Sequence, residues 1–154
     1  PQASPTGNNI YVIHFTDENR TQHRLFGHHE IPRQAFVITL YGIKNCDTVK
    51  KARKWLENQS VEYKFHDVRE DGLDPKTVEL WLEKLGWEIV VNKRSTTWKE
   101  LDQAARDTMN NTSALEAILK YPTLFKRPLL DIGHELHCGF SAEKYQDIFN
   151  HHTL

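Results

Sequence analysis

Sulfur is scarce in this chain, and charge bias is nearly absent. Among 154 residues there are two cysteines, Cys46 and Cys138. That is too few for the disulfide framework of a small secreted domain, and no CxxC or zinc-type spacing occurs. The formal net charge is −1, so no strong overall field recruits nucleic acid or an anionic membrane. No apolar run approaches the length that crosses a bilayer. The N-terminus also lacks a charged region followed by an apolar stretch and a small-residue cleavage site. These absences point to the cytoplasm, with neither nucleic acid nor membrane as partner. Internal repeats and low-complexity tracts are missing as well. What remains, with 38% hydrophobic and 27% charged residues, is the composition of one globular domain with its own core.

The first 35 residues differ from the rest. Pro1 to Asn9 is polar and turn-rich, Ile10 to Phe15 is a short apolar run, and Thr16 to Gln34 has neither helical nor strand period. The one methionine is Met109. Residues 1–35 are expected to be an N-terminal extension, a tag or mobile segment, ahead of a domain over 36–154.

From Phe36 the pattern becomes regular. Phe36 to Tyr41 is a β-branched and aromatic run closed by Gly42, the signature of a buried strand. A helix is expected from Asp47 to Asn58, with Val49, Ala52 and Leu56 on its inner face. Val61 to Val68 reads as a second strand, with Tyr63, Phe65 and Asp67 opposed to Lys64 and His66. The three form a βαβ unit with parallel strands. Asp74 as cap, Pro75 at the first helical position and Gly86 at the exit delimit another helix, with Val78, Trp81, Leu82 and Leu85 inward. Capping-box patterns at Thr97 to Glu100 and Ser113 to Glu116 predict two more, the second burying Leu115, Ile118 and Leu119. Leu129 to Ile132 and Glu135 to Phe140 flank Gly133 as an antiparallel hairpin. A last helix from about Ser141 buries Tyr145, Ile148 and Phe149. The order βαβ, helical insertion (about 74–125), ββα is that of a thioredoxin-like α/β fold.

Cys46 falls between the first strand and the first helix. A helix N-terminus presents unpaired N–H groups and about half a positive charge, which favours a thiolate over a thiol. Lys44 adds positive charge nearby, and Asp47 opposes it. Position alone leaves two readings, a reactive thiol or a small residue packed in a turn. A CxxC pair would carry its second cysteine three residues on, where Val49 stands, so no internal disulfide can close there. The Thr48 hydroxyl, one residue earlier, can serve the sulfur.

The run Tyr41-Gly42-Ile43-Lys44-Asn45-Cys46-Asp47-Thr48-Val49-Lys50-Lys51-Ala52, then Phe65-His66-Asp67-Val68-Arg69, then Lys126-Arg127-Pro128-Leu129, closely resembles the arsenate reductase/Spx family of thioredoxin-like proteins, in its YffB-type branch. The resemblance extends from about Val37 to the end and implies a nucleophilic Cys46. In the arsenate reductases of the family the matching cysteine attacks the oxyanion, glutathione resolves the adduct and a glutaredoxin regenerates the enzyme. Three arginines surround that cysteine. Arg94 and Arg127 fall at two of the positions, and Gly139 replaces the third. The resemblance further implies that Pro128 is the cis-proline facing the cysteine, with Asn45 beside it. A doubly charged oxyanion needs several charge-assisted donors, so the loss at Gly139 favours thiol chemistry over arsenate.

The implied function is a glutathione-dependent thiol reductase, acting as a monomer with no bound cofactor. Lys44, Thr48, Arg94 and Arg127 would bind the substrate anion. Two alternatives are an Spx-like regulator that binds RNA polymerase and a true arsenate reductase. Cys138 reads as a strand residue that packs quietly, with a resolving thiol as the other reading. His134 and His137 would point to opposite faces of a strand, so no metal site is expected.

Overall fold

The computed structural model describes residues 37–152. The extension expected over 1–35, its apolar run Ile10 to Phe15, and Phe36 lie outside the described residues. β1 (Thr39–Gly42), α1 (Asp47–Asn58) and β2 (Lys64–Asp67) form the βαβ unit, its strands paired in parallel. Next come α2 (Pro75–Leu85), α3 (Trp87–Val90), α4 (Thr96–Glu100), α5 (Gln103–Asp107) and α6 (Asn111–Lys120), with a 3-10 turn at Pro122–Leu124. β3 (Leu129–Asp131), β4 (Leu136–Cys138) and α7 (Ala142–His152) follow.

The strands lie in the order β2-β1-β3-β4. Because side chains alternate along a strand, the sheet has two apolar faces. On one, Ile38, Leu40, Leu130 and Ile132 pack with Ala52 and Leu56 of α1 and Tyr145, Ile148 and Phe149 of α7. On the other, Leu129, Leu136 and Cys138 pack with Val78, Trp81 and Leu82 of α2 and Ala114 and Ile118 of α6. The result is the thioredoxin-like sandwich, with the helical insertion covering the second face.

Two helix starts differ from expectation. Ser95, not Thr97, caps α4 by accepting from Trp98 N–H at 3.0 Å. The Thr97 hydroxyl is engaged 2.7 Å from that of Thr123. Asn110 caps α6, and Ser113 is the reciprocal partner three residues on: Asn110 Oδ1 accepts from Ser113 N–H at 2.9 Å and Ser113 Oγ accepts from Asn110 N–H at 3.0 Å. A hydroxyl can play either part in a capping box, and the preceding asparagine takes the cap. β2 is an edge strand, so Lys64, Phe65 and His66 are all half-buried rather than cleanly alternating. The Arg53 guanidinium lies 4.0 Å over the Phe65 ring.

One end of the sheet gathers the interesting residues. Gly42 pairs with Asp67, Tyr41 with Leu129, and Leu129 with Cys138. Extended by one residue, that register makes a row running Asp67, Gly42, Pro128, Gly139, with Gly139 N–H donating to the Pro128 carbonyl at 2.8 Å. Helix α1 begins directly above this row. Its close approach excludes a side chain at Gly42, where a Cβ would sit 2.8 and 2.9 Å from the two Val49 methyls.

Asp67 ties the row to the loop leading into α1. Its buried carboxylate accepts from Lys44 N–H at 3.0 Å, Arg69 N–H at 2.8 Å and Glu70 N–H at 3.1 Å. Burial pushes this carboxyl up, but the three backbone donors and the Lys44 charge outweigh it and hold it below the usual carboxylate range.

Two outcomes follow. Gly42→Ala should cost about 1–3 kcal/mol in urea unfolding, the usual size of an overpacking penalty. Adding Val49→Ala should recover part of that loss, and strictly additive losses would refute the contact. Asp67→Asn keeps an oxygen for Arg69 and Glu70 but turns an NH2 toward the Lys44 donor, costing about 1–3 kcal/mol at pH 7. A carboxyl depressed in the native state stabilises above its unfolded value of about 3.9 and loses that contribution as pH falls through the native value. Between pH 5 and 3 the parent chain should therefore lose stability more steeply than the Asn variant. Parallel curves would contradict the clamp.

Candidate functional site

Cys46 occupies the N-cap of α1 in extended backbone, φ −96° and ψ 124°. Its N–H donates to the Ile43 carbonyl at 3.2 Å, closing a tight turn, and its carbonyl accepts from Lys50 N–H at 2.9 Å, opening the helix. The side chain makes no capping bond. A serine or asparagine here would accept from the first turn. With cysteine, those N–H groups are left to solvent or to a ligand. The residue is half-exposed, and it packs against the insertion-side core. A 12-residue helix thus points its positive end at an accessible sulfur.

The other expected residues distribute as follows. Asn45 and Thr48 are exposed on either side of Cys46. Lys44 gives its main-chain N–H to Asp67 and its ammonium to Glu70, at 2.7 Å. The Arg127-Pro128 peptide is cis, and Pro128 is buried in the row opposite Gly42. Arg127 Nη1 donates to the Thr123 carbonyl at 2.8 Å, while its buried Nε has no partner among the described residues. Arg94 is exposed in the turn before α4, its N–H donating to Asn92 Oδ1 at 3.0 Å. Backbone bonds from Asn92 N–H to the Leu124 carbonyl at 2.8 Å and from Lys126 N–H to the Val90 carbonyl at 2.7 Å stitch the two arginine-bearing segments side by side.

Gly139 has φ +83°, a left-handed conformation that disfavours any side chain. The third arginine position of the resemblance is therefore closed by backbone shape as well as by residue type. Two lysines converge there that sequence reasoning passed over. A Cβ built on Gly139 would lie 3.4 Å from Lys126 Cε, and Lys144 Nζ donates to the Cys138 carbonyl. Lys126 stands beside Arg127, and Lys144 sits in the first turn of a helix, where acids are favoured. Those were the available signals.

Cys138 is only 6% exposed. Burial pushes its thiol up to about 11, against the opposing pull of Lys144 and Lys126. That makes it a poor nucleophile at neutral pH. His137 Nε2 lies 3.0 Å from Glu135 Oε1. Among the described residues, no cluster of three or more His, Cys, Asp or Glu could hold a metal, and no helix is long and apolar enough to cross a membrane.

Comparison with known proteins agrees with this geometry. The ArsC family model matches residues 41–148. An uncharacterized protein of Haemophilus influenzae is 46% identical over 113 residues, covering 73% of this chain and 99% of that one. The global transcriptional regulator Spx of Listeria innocua is 26% identical, with 70% and 83% covered. Among solved structures, a YffB protein superimposes with a TM-score of 0.69 at 39% identity, over 72% of this chain and 97% of that one. An arsenate reductase (ArsC) related protein from Brucella melitensis gives 0.63 at 40% identity, over 75% and 96%. With a family match that spans both the cysteine turn and the cis-proline, and whole-length relatives on either side of it, this chain belongs to the ArsC family.

Proposed function

We propose that the protein is a glutathione-dependent thiol reductase working through Cys46. The observation that carries this reading is the half-exposed sulfur at the start of α1, its cap position unspent, at the sheet end that also holds cis-Pro128. The Cys46 thiolate attacks one sulfur of a substrate disulfide, and the other sulfur leaves as a thiolate that takes a proton from water. A glutathione thiolate then displaces the remaining substrate thiol from Cys46. A second attacks that glutathione adduct, restoring the Cys46 thiolate and leaving glutathione disulfide. Two electrons pass from two glutathiones to the substrate. Val49 at the position of a CxxC partner and the burial of Cys138 support an external reductant. Arg94 and Arg127 bind anionic groups of the substrate or of glutathione.

The relationship to Spx supports a second reading, a regulator that binds RNA polymerase. Turnover separates the two: a regulator binds polymerase and leaves disulfide and glutathione unchanged. Arsenate is the weaker candidate substrate, because Gly139 supplies no third guanidinium.

In the native protein at pH 7, mass spectrometry should show Cys46 alkylated at least ~10-fold faster than Cys138, whose thiolate is rare and enclosed. Equal rates would remove the basis for catalysis at position 46. Cys46→Ser should bring glutathione-dependent disulfide turnover to background. Its hydroxyl, able to accept from the first turn, should leave unfolding stability unchanged or higher by about 0.5–1 kcal/mol. Retained turnover would move the chemistry to another group.

A further inference from the structure

Lys126 and Lys144 come from different elements and meet over the same two residues. The Lys126 stem crosses Gly139, and the Lys144 ammonium binds the Cys138 carbonyl. Neither ammonium has a carboxylate within ion-pair distance among the described residues, although Glu143 shares the first turn of α7. Lys144 is half-buried. Burial depresses its basicity, the Cys138 sulfur opposes this, and the neighbouring Lys126 charge adds to the depression. It also lies in the first turn of a helix, where the dipole disfavours a cation. Packing alone gives no reason to hold two like charges together at the wrong end of a helix. An anion between them would offset all three costs.

The position of the pair says what kind of anion. β4 runs parallel to β1, because each is antiparallel to β3. Helices α1 and α7 therefore start at the same sheet end and cover the same face. In the row Gly42, Pro128, Gly139, the lysine pair sits two strand spacings from the strand that leads to Cys46. Two spacings are about 10 Å. An oxyanion bonded to the Cys46 sulfur would stay within a few ångströms of it and could not reach. A chain of about three residues, at roughly 3.3 Å each, spans that gap.

We propose that Lys126 and Lys144 form a carboxylate-binding position for a tripeptide-sized thiol or disulfide whose sulfur reacts at Cys46. This rests on the thiol-reductase reading and assigns its specificity to a lysine pair in place of the missing arginine. Gly139 is favoured by its positive φ, and Lys126 passes at contact distance over its bare Cα.

The test uses the full chain and two measurements. The rate at which glutathione disulfide modifies Cys46 is compared with that of its fully esterified form, whose carboxylates are neutral. Lys126→Gln and Lys144→Gln should each slow the charged probe roughly tenfold, the scale of one charge-assisted contact. The ester rate should stay unchanged, and Lys126→Arg should restore the charged one. Equal slowing of both probes, or of neither, overturns the proposal. Lys126 is exposed, so its variant keeps the test alive if the Lys144 variant fails to fold.

The second measurement is calorimetric binding of S-methylglutathione, which cannot react. Binding lost in Lys126→Gln supports the lysine pair even if Cys46 proves inert, in which case only the reductase reading fails. Binding unaffected by the variant, or matched in affinity by inorganic phosphate at the same lysines, refutes a peptide carboxylate site.

Discussion

The carboxylate of Asp67 is the group on which the working end of this fold depends. One side chain, buried at the last residue of β2, collects donors from both sides of the βαβ unit: Lys44 before α1, and Arg69 and Glu70 after β2. A single neutral acceptor could not serve three donors as strongly, and without them a charge at this depth would be costly. Because the two loops share one acceptor, the turn from Ile43 to Cys46 cannot shift without disturbing the strand end. The position of the sulfur is thereby held by the sheet as well as by its packing on the insertion-side core, which is how a cap with no capping bond stays in place.

Around that anchor the site is assembled from unlike parts in a single register. Gly42 contributes an absence, letting Val49 and hence the first turn of α1 come down on β1. Pro128 contributes a carbonyl to Gly139 and a surface opposite Gly42. Two cations, Lys126 and Lys144, come from the segment before β3 and the first turn of α7. Of these elements only β1 and α1 are close to Cys46 in sequence. It is sheet order, β2-β1-β3-β4, that makes them neighbours.

Much of this is visible in the chain itself, because it is written in local periodicity. The bounds of α1, the Asp74-Pro75 start and Gly86 exit of α2, the Gly133 hairpin and the inner faces of α1 and α7 all follow from patterns a few residues long. Cys46 as a helix-start thiol is local too. The less accurate readings share a cause. Ser113 and Thr97 look like caps until Asn110 and Ser95 are seen to take the bonds first. Lys64 and His66 look solvent-facing until β2 proves to be an edge strand. Asp67 reads as one more residue of an alternating strand, since its donor Lys44 lies 23 residues away. Lys126 and Lys144 belong to different elements and converge only through β4. Pairings across the sheet leave no trace in composition or period.

The unequal burial of the two sulfurs has a consequence for damage. Cys46 is reachable and Cys138 is enclosed, and Val49 denies Cys46 a partner one turn along. A sulfenic acid formed at position 46 by peroxide has no accessible thiol within the chain to condense with. Its rescue depends on how quickly a diffusing thiol arrives before a second oxidation makes the loss permanent.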